Sequence, residues 1–190
     1  MIKTKSDLKY YLLQDKKALG IKSKRPRILT DYIWKYEIFL RKTEYYYNNT
    51  GVLNKIKYMY YKLRLSRVGR KNGGFGFPLN CVGPGLSIAH YGNIVINSNA
   101  KIGKNLRIQE GVTIGAKSGL HAAAKIGDNV YIGSGAKIIG DVIIGSGAVI
   151  GANAVVTKSF PENNCVLVGV PAKKIKEDKS KSNLNQLLFK

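Results

Sequence analysis

Lys125-Ile-Gly-Asp-Asn-Val-Tyr-Ile-Gly-Ser-Gly-Ala-Lys-Ile-Ile-Gly-Asp-Val-Ile-Ile-Gly-Ser-Gly-Ala-Val-Ile-Gly-Ala-Asn-Ala-Val-Val156 is the stretch whose spacing decides the fold. Ile126, Ile132, Ile138, Ile144, Ile150 and Val156 recur at intervals of six, and a smaller apolar residue precedes each by two (Ala124, Val130, Ala136, Val142, Ala148, Ala154). The register runs back unbroken through Leu120, Ile114, Ile108 and Ile102 to Ile96. Six residues are too few for a helix pair or a hairpin. They suit one short strand and one corner, with β-branched residues inside the strand and Gly, Asn or Asp at the corner, where φ is often positive. A period of this length signals a parallel β-helix, in which successive coils pair about 4.8 Å apart and bury an aliphatic column. With three sides per coil, Ile96 to Val156 spans roughly three coils.

Two positions on the register look out of place. Leu120 lies in Gly115-Ala-Lys-Ser-Gly-Leu-His-Ala-Ala-Ala-Lys125, where Ser118 interrupts the small-aliphatic series; this reads as a protruding loop that happens to be six residues long. His90 falls six before Ile96, so the register puts a polar ring on the aliphatic column.

Lys71-Asn-Gly-Gly-Phe-Gly76 divides the chain. Residues 1–72 read as a basic helical domain, 73–175 as the repeat domain and 176–190 as a flexible tail. Ser6-Asp7 starts a first helix that Gly20 ends. Asp31 caps a second that reaches about Tyr47. A third runs from Val52 to about Val68, with Leu53, Ile56, Met59, Tyr60, Leu63 and Val68 on an apolar stripe and seven Lys/Arg from Lys55 to Lys71 around it. The net charge is +21, and residues 1–71 hold 19 Lys+Arg against 5 Asp+Glu with ten of the twelve tyrosines. Such a surface suits plain solvation, an anionic membrane or an anionic substrate. Nucleic acid is disfavoured, because the chain carries no zinc-finger, RNP or KH pattern. Cys81 and Cys165 lack metal or redox spacing and read as small hydrophobes in a reducing compartment. No apolar run reaches a membrane span and no signal peptide is evident. The expected location is cytoplasmic, with peripheral attachment to the inner membrane face as the variant.

The chain has two histidines, His90 and His121. Two histidines are one short of a zinc site built on three imidazoles, and no metal is expected. One imidazole suits general-base work on a hydroxyl. Gly85-Leu-Ser-Ile-Ala-His-Tyr-Gly-Asn-Ile-Val-Ile96, the hexad run, Gly151-Ala-Asn-Ala-Val-Val-Thr-Lys158 and Gly169-Val-Pro-Ala-Lys-Lys174 resemble the hexapeptide-repeat acyltransferases. The likeness is nearest to serine O-acetyltransferases and polysaccharide-biosynthesis O-acetyltransferases.

That resemblance implies an all-β left-handed parallel β-helix with an α-helical N-terminal part, a homotrimer with active sites between subunits, and acetyl-CoA as donor. His90 matches the catalytic base. The family orients that base with a carboxylate from the preceding coil; no Asp or Glu lies between Lys71 and Gln109, and Asn80 is the candidate in its place. Donor-binding positions match Tyr131, Gly133, Gly135, Ala152, Thr157, Lys158 and Lys173; the lysines serve equally as solvated surface, and Tyr131 equally as a surface tyrosine. His121 and Tyr91 are the candidate acceptor contacts, with His121 equally a solvated loop residue. Ala89 stands where serine acetyltransferases carry an acid before the base, and Leu120-His121 is the nearest match to their Arg-His pair. Loss of the acid favours a saccharide hydroxyl over serine as acceptor. Serine O-acetylation and a non-catalytic trimeric scaffold are the alternatives.

Overall fold

In the computed structural model, residues 1–27, 29–71, 73–117, 122–177 and 180–189 are described. Three helices, α1 (Lys5–Ala18), α2 (Tyr32–Tyr47) and α3 (Val52–Lys71), precede a three-faced parallel β-helix. Its first face stacks Phe75–Gly76, Ile94–Ile96, Thr113–Gly115, Lys137–Ile139 and Val155–Val156. The second stacks Lys101–Ile102, Lys125–Ile126 and Ile143–Ile144, extended by single bridges at Val82 and Phe160. The third stacks Ser87–Ile88, Arg107–Ile108, Tyr131–Ile132, Val149–Ile150 and Cys165–Val168, then turns back with the antiparallel strand Lys173–Glu177. The hexad residues fill the prism: Ile108, Ile114, Ile132, Ile138, Ile150 and Val156 are fully buried, as are Ala100, Ala136, Ala148 and Ala154 two places before register positions. Burial pushes the Cys81 thiol up to about 12, so it packs as a small apolar group, as expected.

The six-residue register leaves the prism at two places, and they are the two that looked wrong in the sequence. Ile132 pairs with Ile150, a step of 18, whereas Ile108 pairs with Ile132, a step of 24. The six extra residues lie between Ile114 and Ile126, where the sequence places the loop; Ser118, Leu120 and His121 fall outside the described residues. Ile88 pairs with Ile108, a step of 20. Ile88, not His90, therefore occupies the buried column, and the expectation for His90 is corrected. The two extra residues sit in the corner Ala89–Asn93 and push His90 out to solvent.

The helices close the open end of the prism. The first rung has no preceding rung to accept its outward N–H groups, and an unpaired edge of this kind is costly when buried. Carboxylates take the place of the missing carbonyls. Asp15 accepts from Gly85 N and Leu86 N (2.8 and 2.9 Å), Glu37 from Ile88 N (3.0 Å) and Glu44 from Asn80 N (2.8 Å). Arg41, fully buried, pairs with Asp15 (2.7 Å) and Glu44 (3.1 Å) and donates to Val82 O and Gly83 O. Tyr36 and Leu40 join the same apolar core as Phe75 and Phe77.

Three local expectations change. Thr4 rather than Ser6 caps α1, in a capping box with Asp7. Asp31 precedes α2, but its carboxylate is drawn to Arg27 (2.8 Å) and makes no cap bond. The tail is not a free end: Lys173–Glu177 extends the third face across the expected boundary at 175, Leu184 is buried, and Ser180 bonds Asn129 O.

Candidate active site

The vertex between the third and first faces gathers most of the expected site. It is built by the corners Ala89–Asn93, Gln109–Val112, Gly133–Ala136 and Gly151–Ala154, one rung apart. His90 and Tyr91 stand on the uppermost, both exposed. Gly133 and Gly135 lie two rungs below, and Ala152 three. The rungs meet closely here: a Cβ on Gly133 would come within 2.7 Å of Ala152 N, and Gly135, at φ +73, has Asn153 Oδ1 where its Cβ would be. A side chain at Gly133 would meet backbone and force the corners apart, and one at Gly135 would displace the Asn153 side chain and strain the positive φ. Tyr131 lies beside the vertex on the third face, half-buried, its hydroxyl accepting from Gln109 Nε2 (3.2 Å).

Other expected residues lie elsewhere on the chain. Thr157 and Lys158 are exposed at the vertex between the first and second faces, with the Lys158 ammonium 5.5 Å over the Phe160 ring. Lys173 is exposed at the start of the antiparallel strand, at the far end of the prism from His90. Asn80 does not orient His90. It sits between the first and second faces, and its side-chain amide is bonded reciprocally to Asn48 (2.8 and 2.9 Å).

Sequence reasoning missed Glu110. It occupies the corner directly below His90, one residue beyond the interval searched for an acid. Ala89 N bonds Ile108 O (3.0 Å) and Gly111 N bonds Asn93 O (2.7 Å), so the two corners are locked one over the other. Gly92, at φ +143, makes room: a Cβ there would lie 2.7 Å from Glu110 Cβ. A hydrogen bond with Ser134 holds the Glu110 carboxyl below its ordinary range, helped by its own backbone amide and by nearby His90. Glu110 Oε2 is shielded from solvent without a hydrogen-bond partner among the described residues. Lys137 Nζ is the nearby cation, bonded to Gly111 O (2.5 Å) and Thr113 Oγ1 (3.2 Å).

A hexad prism with an exposed imidazole on one vertex is similar to the hexapeptide-repeat acyltransferases. Residues 123–158 match the family described as bacterial transferase hexapeptide (six repeats). Solved serine acetyltransferases are similar over nearly the whole chain. That from Brucella abortus strain S19 shares 25% identity, covering 93% of this chain and 72% of its own, with a TM-score of 0.71. The same enzyme in complex with coenzyme A shares 26%, covering 91% and 69%, at 0.69. That from Neisseria gonorrhoeae, in complex with serine, shares 27%, covering 90% and 70%, at 0.65. No curated protein sequence matches the chain. The shared fold is the left-handed β-helix, against the usual right-handed crossover rule.

Proposed function

We propose that the chain is an acetyl-CoA-dependent O-acetyltransferase in which His90 is the general base. The supporting observation is the exposed imidazole at a vertex where the chain leaves the hexad register, in a fold whose solved likenesses are acetyltransferases. A ring nitrogen of His90 takes the acceptor's hydroxyl proton as the oxygen attacks the thioester carbonyl. The C–O bond forms, the C–S bond breaks, and the departing thiolate recovers the proton from the imidazolium. Transfer is direct.

L-Serine is the acceptor the comparisons favour, since one similar structure holds serine; it moves ahead of the saccharide that the sequence put first. One observation keeps the saccharide as a second reading: Ala89 supplies no charge next to the base where an ammonium would need one. Release of free CoA, measured with L-serine and with nucleotide sugars for the wild type and His90→Ala, decides. Turnover that the mutation lowers by about 10²–10⁴ supports the base, and the acceptor that supports turnover is the substrate. No turnover with any acceptor supports the scaffold alternative.

Donor-binding residues lie on two vertices and at the far end of one chain, which fits a homotrimer with sites between subunits. Exposed Val95 and Ile143 on the outer faces are apolar surface such an assembly would cover. A membrane surface is the further proposed partner. α3 leaves Val52, Leu53, Ile56, Met59, Tyr60 and Leu63 at least half exposed, among seven Lys/Arg and no acid. No described helix is long and apolar enough to cross a membrane.

A further inference from the structure

The acid that the sequence lacks above His90 is present below it. We propose that Glu110 is the positioning residue of His90, accepting an N–H from one ring nitrogen so that the other faces the acceptor hydroxyl. This rests on His90 acting as the base. Four observations carry it. The two corner hydrogen bonds fix Glu110 one rung beneath His90. The two-residue excess in the upper corner exposes His90, and its charge is felt at the Glu110 carboxyl. Gly92 has no side chain where Glu110 Cβ lies, so the carboxylate root is seated against the His90 corner. Glu110 Oε2 is shielded and unpartnered, and a buried carboxylate oxygen is costly without a donor.

The surroundings leave His90 as the natural donor. Ser134 already bonds the carboxylate from the rung below. Lys137 is turned to Gly111 O and Thr113, and Gln109 to the Tyr131 hydroxyl. Arg107, on the third face, reaches Ser87 Oγ. Catalytic hydrogen bonds are commonly loose without ligands and tighten when substrate arrives. The partnership would reverse the family's supply of the carboxylate from the preceding coil, and there is a structural reason. In this chain His90 leaves the first rung of the stack, so the next rung is the one at hand, and Asp15, Glu37 and Glu44 are committed to the backbone of the first rung.

The test compares full-length wild type, Glu110→Ala and Glu110→Gln. The His90 ring is followed by nitrogen-15 NMR and assigned by the signal lost in His90→Ala. In the wild type a single neutral tautomer is expected. Glu110→Ala should give a tautomer mixture and lower kcat by roughly ten- to a hundredfold, with KM for acetyl-CoA unchanged. Glu110→Gln keeps an acceptor oxygen and should restore the single tautomer and part of kcat. A tautomer distribution that Glu110→Ala leaves as in the wild type overturns the proposal. So does a fall in kcat without that change, which would place Glu110 on the acceptor instead. If the wild type transfers no acetyl group, the O-acetyltransferase reading fails by itself, and the NMR comparison still decides whether Glu110 holds His90.

Discussion

Glu37 shows what a single side chain contributes to this fold. Burial pushes its carboxyl well above the ordinary range, and the neighbouring Asp15 adds to the shift. The folded chain therefore binds this proton more tightly than the unfolded one. The resulting stability is full below the unfolded carboxyl pKa and is lost as pH rises through the folded value. Glu37→Gln should flatten the fall of melting temperature between mildly acid and alkaline pH, as thermal unfolding across that range would record. A slope unchanged by the substitution would mean that Glu37 stays ionised in the fold. The corners of the prism obey a different local rule. Asn105, Asn129, Asn153 and Asn164 all take positive φ, a conformation asparagine tolerates better than most residues. Gly147 lies against Asn164 Oδ1 in the rung below, as Gly135 does against Asn153. Gly147→Ala combines a strained φ with a collision. It should destabilise by more than the roughly 1 kcal/mol typical of point mutants, measured by urea denaturation.

At the scale of elements, α1 and α2 act as an end-piece for the β-helix. Asp15 serves two backbone N–H groups and the buried Arg41 together. Asp15→Ala should cost about 3–5 kcal/mol, the usual result of stranding one member of a buried ion pair. Thr4→Ala, which removes only the α1 cap, should cost about 1 kcal/mol. Chemical denaturation of both variants tests the contrast, and equal losses would show that the end-piece is not held by its charges. The prism itself was legible in the sequence because each rung obeys one local rule, six residues per side. Its departures were legible too, as a histidine on an aliphatic column and a serine in a small-residue series. The end-piece was not. Asp15, Glu37 and Glu44 stand in a segment dominated by lysine and arginine, and what they bond is backbone more than 30 residues away. The spacing of Glu37 and Glu44, two turns apart around Leu40 and Arg41 on α2, was the available signal. Glu110 escaped because it stands one residue beyond Gln109, on the rung after His90, whereas the resemblance called for a carboxylate from the preceding coil. The stacking of one corner on the next belongs to the pairing of strands 20 residues apart.

On the whole molecule, three of the eleven acids are buried around Arg41, so the surface facing solvent is more basic than the net charge of +21 suggests. α3 concentrates that charge beside apolar side chains, and its last turn leads to the His90 corner: Gly73 packs on Gly92, two residues from His90. Replacing Lys55, Lys57 and Lys62 with glutamine should weaken binding to phosphatidylserine vesicles by about 1 kcal/mol per charge. Sedimentation with neutral and anionic vesicles measures this, and equal binding to both would remove the membrane from the account. The closing of the first rung also bears on how copies of the chain meet. A stack of near-identical rungs is a one-dimensional crystal, and each finished rung is a template on which another can be laid. Carboxylates at one end offer an incoming strand only acceptors already in use, and at the other end the antiparallel Lys173–Glu177 reverses the direction of one face. A chain stripped of its helices would keep every hexad and lose its terminus, and it would be expected to grow lengthwise into fibres.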